Sequence, residues 1–277
     1  MKVGLFYVRL SPPRDARWYT HLAPMEYAAL GALTVAAIHR VMPGVPVYHL
    51  TDEDTPPLAG VDHVVRRPIL QRELMLQRVM HFAALPEGDW LWMDTDVILQ
   101  RDVRPVFQHP RFEVAVTDRF LAMGLPPDAM ILNTEMSQCY PYNTAVVFTR
   151  SRAFWQDVVR YYHERVNPIR YEWLGDQEAI NGVVKSGNYR VLVLPGYLYN
   201  YVPTGATDDL SGKFGIHLKG SSKRSYCTQD STLGHFSVLG AASGLSAGGG
   251  GGGEDGGHVS PDASTVPHVD LDRRGSL

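Results

Sequence analysis

Short apolar blocks and longer amphipathic ones succeed each other along the chain as far as Leu239. Val3 to Val8 is an apolar run bounded by Ser11-Pro12-Pro13, the signature of a buried strand. Pro24 to Arg40 is rich in Ala and Leu; proline suits a first helical turn, and Pro43-Gly44 stops the helix. Val45 to Leu50 returns to strand character and runs into the polar stretch Thr51 to Asp54. Gln71 to Leu85 sets Leu74, Leu76, Val79, Phe82 and Ala83 near helical spacing and ends at Pro86. Trp90 to Met93 and Val114 to Thr117 predict two more strands.

Thr144 to Thr149 is another apolar, β-branched run, followed directly by a predicted helix from Ser151 to about Val166. Gly175 to Ser186 predicts a further helix closed by Gly187, and Tyr189 to Leu194 a last strand. Strand and helix alternate as in an α/β domain with a largely parallel sheet, spanning residues 1–239. In such sheets ligands gather beyond the carboxyl ends of the strands, so the residues just after each strand are where chemistry is expected. Tyr197, Tyr199 and Tyr201 alternate as strand residues would; they suit a sugar platform on one face or, in preference, strand packing. Leu121 to Pro141, with Pro126-Pro127 and Tyr140-Pro141, predicts an acceptor or lid loop. From residue 240 to 277 the chain turns Gly- and Ser-rich without apolar periodicity. It cannot bury enough surface to offset its ordering entropy, so a disordered tail is expected.

A hydrophobic share of 44% with 20% charged residues is that of an ordinary globular protein. The net charge of -3 argues against a nucleic-acid binder that relies on a broad basic face, while leaving room for a nucleotide ligand. The two cysteines, Cys139 and Cys227, form no CxxC pair, which disfavours a disulfide framework or a thiolate zinc site. No segment approaches the ~20 apolar residues of a membrane helix, so a cytoplasmic protein is expected, with peripheral membrane attachment left open.

The strongest chemical signal is Asp94-Thr95-Asp96, at the end of the apolar run Trp90 to Met93 and followed by Val97-Ile98-Leu99. Alternate strand residues point the same way, so both carboxylates are expected to converge. Carboxylates that close repel unless a cation or proton lies between them. Their oxygens suit Mg2+ or Mn2+, which keep positions open for diphosphate oxygens. The bland alternative is a solvated strand end. A second signal is His217-Leu218-Lys219-Gly220-Ser221-Ser222-Lys223. Its histidine offers a neutral ring nitrogen to a metal, its glycine a close backbone approach and its last lysine a point charge for phosphate. Here the alternative is a basic surface turn.

Together, Asp94-Thr95-Asp96 and the H-x-x-G-x-x-K arrangement of His217, Gly220 and Lys223 resemble the retaining glycosyltransferases related to glycogenin, galactinol synthase and bacterial lipopolysaccharide galactosyltransferases. Tyr142-Asn143-Thr144-Ala145-Val146-Val147 is similar to their F-N-[ST]-G-[VI] strand, and Leu174-Gly175-Asp176-Gln177-Glu178-Ala179-Ile180-Asn181 to their D-Q-x-x-[IL]-N helix start. Four motifs in order are far more specific than any one of them. The resemblance implies a GT-A fold, a single α/β domain with a Rossmann-like nucleotide-binding half and a mostly parallel mixed sheet. It implies a divalent ion, Mn2+ or Mg2+, on Asp94, Asp96 and His217, bridging the diphosphate of a nucleotide sugar, a UDP-sugar in preference. Gly220 and Lys223 would contact phosphates, and Arg78 the donor phosphate or sugar. Thr95 and Asn143 would line the donor, Asp118 would hold a sugar hydroxyl, and Asp176 and Gln177 would stand at the reaction centre. The acceptor, whether glycan, lipid-linked or protein, is not named by any of this.

The departures are specific. Ala145 stands where glycine is usual, and Arg224 follows Lys223 where a proline-tryptophan pair is common. The first strand offers Tyr7, Arg9 and Ser11 instead of the acidic residues often found near base and ribose. Each transferred residue also has a plain alternative: a surface ion pair for Arg78, a turn role for Asn143, a helix-dipole role for Asp176 and solvation for Asp118. A sugar nucleotidyltransferase would want a glycine-rich loop after the first strand, where Arg9 to Arg14 has no glycine. A metal phosphohydrolase would cluster more histidines, and the intact Asp94, Asp96, His217 and Lys223 speak against a binding protein of the same fold that has lost turnover.

Overall fold

The computed structural model describes residues 1–10, 24–119, 138–168, 174–203 and 208–219. Ser11, nearly all of the Leu121–Pro141 loop, Gly220, Lys223 and the 240–277 tail lie outside them.

Seven strands form one sheet in the order β3-β2-β1-β4-β7-β6-β8. They are β1 (Lys2–Phe6), β2 (Val47–Thr51), β3 (His63–Arg66), β4 (Trp90–Met93), β6 (Val114–Asp118), β7 (Tyr142–Thr149) and β8 (Val191–Leu194). Pairs β3/β2, β2/β1, β1/β4 and β6/β8 run parallel; only β7 is antiparallel, to both its neighbours. The sheet is thus mixed and mostly parallel, as expected. β5 (Val97–Leu99) and β9 (Gly215–His217) form a separate antiparallel pair.

Alternation along the central strands fills two cores. Val3, Leu5, Leu91 and Met93 face one cluster with Val35 and Ile38 of α1 (Pro24–Val41). On the other face Trp90, Trp92, Val114 and Val116 meet α2 (Leu74–Ala84), α3 (Arg152–Arg165) and α4 (Gly175–Lys185) through Val79, Phe82, Trp155 and Ile180. Gly4 of β1 has to be glycine, since a Cβ there would lie 2.3 Å from the Trp92 ring. The Ser151 side chain caps α3 by accepting from the Phe154 amide at 3.3 Å.

One strand of the seven-stranded sheet was not foreseen, and two expectations are corrected. Strand β3 carries the exposed, polar-edged sequence His63–Arg66, and an edge strand needs no continuous apolar run, so the hydrophobic pattern passed over it. Tyr197, Tyr199 and Tyr201 do not alternate on a strand, because Gly196–Tyr199 is a helical turn, α5. Tyr199 is buried and stacks on Phe214 at 4.6 Å between ring centroids, whereas Tyr197 is 45% exposed. Asp94 and Asp96 leave the strand, which ends at Met93. The Val97 amide donates to the Asp94 carbonyl at 3.2 Å, so a turn, not strand pleating, sets the two carboxylates. Among the described residues no helix is long and apolar enough to cross a membrane.

Candidate active site

The site lies where β4 ends. The Asp94 amide donates to the Ala145 carbonyl at 2.9 Å, and the Leu218 amide to the Asp96 carbonyl at 2.9 Å. One aspartate is therefore anchored to β7 and the other to the end of β9. The Thr34 hydroxyl of α1 donates to the Thr95 carbonyl at 2.7 Å, pinning the middle of the turn. On β7 the register against β6 shifts between Val116 and Thr117, so Thr144, Ala145 and Val146 bulge out of that pairing. Asn143 supports the bulge, its side-chain oxygen accepting from the Ala145 amide at 2.9 Å. That local bond has the geometry of a turn residue, and the Asn143 side chain is buried.

Three ligand-type side chains converge here. One oxygen each from Asp94 and Asp96 and one nitrogen from His217 lie within 4.8 Å of one another. His217 Nε2 stands 3.4 Å from Asp96 Oδ1. Burial holds the imidazole below its ordinary pKa, helped by Lys219 and opposed by Asp96, so the ring is kept neutral. Two carboxylates and a neutral imidazole are a donor set suited to a divalent first-row ion or Mg2+.

Arg78 of α2 is 93% buried, its 7% exposure ruling out a surface pair. Its guanidinium reaches Asp94 Oδ1 at 2.6 Å and Asp176 Oδ2 at 2.7 Å. It also donates to the Thr144 carbonyl at 3.4 Å. This arginine joins three of the sequence motifs. Burial pushes the Asp176 carboxyl up from its usual range, with Arg78 opposing that and Asp94 adding to it.

Asp176 and Gln177 sit in the first turn of α4, where backbone N–H groups are unsatisfied and favour a carboxylate. Asp176 Oδ1 accepts from the Gln177 amide at 2.7 Å. The turn is introduced by Leu174, the one non-glycine residue with positive φ among those described, at 68°. Such a conformation costs a leucine of order 1 kcal/mol or more and survives where surrounding structure imposes it. The Gln177 carbonyl accepts from Asn181 at 2.8 Å, while its side-chain Nε2 is buried with no hydrogen-bond partner among the described residues. A buried, unpaired amide donor is unfavourable by about 1–3 kcal/mol, and a ligand oxygen would relieve it.

Asp118, by contrast, is exposed at the end of β6 and binds the Gly196 amide through Oδ1. Gly196 is required there, because a Cβ would fall 2.2 Å from the Asp118 carbonyl oxygen. Tyr7 is buried and stacks on His49, and the Arg9 amide donates to Thr55 Oγ1 at 2.8 Å. Two residues of the site had no signal in the sequence, Thr117 and Asn200. Asn200 Oδ1 lies 2.9 Å from His217 Nδ1, and Asn200 Nδ2 donates to Thr117 Oγ1 at 3.2 Å. In the sequence Asn200 is only a polar residue within the run Tyr197 to Tyr201, and Thr117 only the end of a predicted strand.

No protein-family model matches the chain, and no curated protein is similar to it in sequence. Solved structures are similar in fold. A galactosyltransferase, LgtC, in complex with donor and acceptor sugar analogs is 12% identical, with a TM-score of 0.54 over 87% of this chain and 96% of that one. An active-site mutant of LgtC is 10% identical, with a TM-score of 0.52 over the same shares, 87% and 96%. At such identities the likeness carries the fold alone: this chain has the mixed α/β architecture of the GT-A glycosyltransferases.

Proposed function

We propose that the chain is a metal-dependent glycosyltransferase that takes a sugar from a nucleoside diphosphate sugar, a UDP-sugar in preference, and transfers it with retention to an acceptor. The observation that carries this reading is the convergence of Asp94, Asp96 and His217 within 4.8 Å beyond the end of a central strand. In a GT-A fold that is the position for a donor diphosphate. Retention rests on the motif resemblance.

Asp94, Asp96 and His217 would hold Mn2+ or Mg2+, which would neutralise charge developing on the departing nucleoside diphosphate. The chain's own groups prepare that site. Arg78 fixes the Asp94 carboxylate and, through its second ion pair at 2.7 Å, the Asp176 carboxylate. Asp176 in turn orients the first turn of α4 by accepting from the Gln177 amide. The unpartnered Gln177 Nε2 then serves the transferred sugar or the acceptor as a donor. Asp176 is committed to Arg78, so its part is to position Gln177 and Arg78 rather than to abstract a proton. Gly220 and Lys223 follow β9 closely enough in sequence to serve the diphosphate; Thr95, Asp118 and Asn143 complete the donor side.

Calorimetric titration with UDP, GDP and CDP, each with and without Mn2+, tests the proposal. The expected result is tight binding of one nucleotide, UDP, only with metal present, lost at least tenfold in both Asp96→Ala and His217→Ala. No binding under any condition would overturn the transferase reading in favour of a non-catalytic relative of the same fold. Metal-independent binding unchanged in both variants would remove the metal assignment.

A further inference from the structure

We propose that Asn200 is a positioning residue that holds His217 in the one tautomer able to ligate a cation, through a hydrogen-bond relay anchored on the backbone of β7. The inference rests on the metal-site reading above and extends it to residues that touch neither metal nor substrate.

The relay has a defined direction. The Asn143 carbonyl can only accept, so the Thr117 hydroxyl, 3.3 Å away, donates its proton there. Its oxygen is then left to accept, and the Asn200 side-chain nitrogen donates to it at 3.2 Å. With its NH2 so employed, Asn200 turns its carbonyl oxygen to His217 Nδ1 at 2.9 Å. An amide oxygen only accepts, so Nδ1 carries the ring proton. Nε2 is therefore bare, and it faces Asp96 Oδ1 at 3.4 Å. Two lone pairs opposed at that distance repel, and a cation between them turns the repulsion into coordination.

All the members are shielded from water. Thr117, Asn143, Asn200 and His217 are each at most 5% exposed, so solvent cannot substitute for a lost partner. The backbone holds both ends. The His217 amide donates to the Tyr201 carbonyl at 2.7 Å, and the Asn200 amide to the Gly196 carbonyl at 2.9 Å. The origin of the relay, Asn143, is also the residue that shapes the β7 bulge beneath Asp94. One carbonyl on β7 thus sets the protonation pattern of a ligand on β9. Partners of this kind, behind a metal-bound histidine, commonly alter metal affinity 10–100-fold.

The test uses the full chain with 15N-labelled histidine. Two-dimensional 15N–1H spectra at pH 7.5 without metal are expected to show His217 as the Nδ1–H tautomer in the wild type. In Asn200→Leu and Thr117→Val that tautomer is expected to give way to Nε2–H or an exchanging mixture. Mn2+ affinity, read by electron paramagnetic resonance of the free ion, is expected to fall 10–100-fold in Asn200→Leu and less in Thr117→Val. Asn200→Asp, which keeps an acceptor at Nδ1, is expected to restore both readouts. Should Asn200→Leu fail to fold, Thr117→Val and Asn200→Asp still carry the comparison. An Nε2–H tautomer in the wild type, or variants whose tautomer and Mn2+ affinity equal the wild type's, would overturn the inference. A wild type with Nδ1–H that binds no Mn2+ would overturn the metal-site reading while supporting the relay.

Discussion

Arg78 and Asp176 are 98 positions apart in the chain and meet at 2.7 Å in the interior. The same guanidinium holds Asp94 at 2.6 Å, so a single buried cation ties the helix start at Gly175 to the turn at Asp94. Removing it would leave two carboxylates facing each other without a counter-charge. Arg78→Ala is expected to destabilise the fold by about 3–5 kcal/mol, the usual loss when one partner of a buried pair is deleted. Urea unfolding measures it. Arg78→Met paired with Asp176→Leu should recover part of the loss, and a loss under about 1 kcal/mol for Arg78→Ala would show the pair to be structurally idle.

Two histidines away from the site predict acid sensitivity. His49 is fully buried between acceptor and donor, with Nε2 3.0 Å from the Tyr7 carbonyl and Nδ1 accepting from the Leu58 amide at 3.3 Å. Burial lowers its pKa, and it lowers that of His81 as well. Each therefore stays neutral in the folded chain while its unfolded counterpart takes up a proton near pH 6.5. Below that pH the unfolded state binds more protons, so stability is full above about pH 6.5 and declines as pH falls through the folded values. The melting temperature should drop between pH 7 and 5. His49→Gln, which can keep both hydrogen bonds without titrating, should drop less steeply, and an equal slope would remove His49 as a contributor.

Gly4 predicts a packing defect at the centre of the sheet. A methyl group there meets Trp92 ring carbons at 2.3 and 2.4 Å. The ring cannot retreat, since it lies against Phe82 at 4.2 Å and Trp90 at 4.8 Å between centroids. Gly4→Ala is expected to lower stability by about 1–3 kcal/mol, as overpacking of a dense core does. It should also shift tryptophan fluorescence. Unchanged unfolding and emission would mean that the ring has room to move.

Much of this was legible in the sequence because it depends on local spacing. The alternation of short apolar runs and helical blocks announced β1, α1, β2, α2, β4, β6, β7, α3, α4 and β8, and so the α/β class. Four motifs in order pointed to the GT-A fold through resemblance, and two of them named Asp94, Asp96 and His217, which the fold brings together. What the sequence could not show are the relationships that depend on partners far along the chain. Edge strand β3 buries too little to leave an apolar signature, and the tyrosines after Pro195 have a strand-like period that the close approach of Gly196 to Asp118 overrides. Asp94 and Asp96 converge because a turn is tied down by Thr34, Ala145 and Leu218, not because of strand pleating. Arg78 turns from a helix-surface arginine into a buried bridge once α2 and α4 pack together. The proton on His217 is decided by Asn200 and Thr117, residues with no local pattern, because a hydrogen-bond direction is a property of groups that meet only in the tertiary fold.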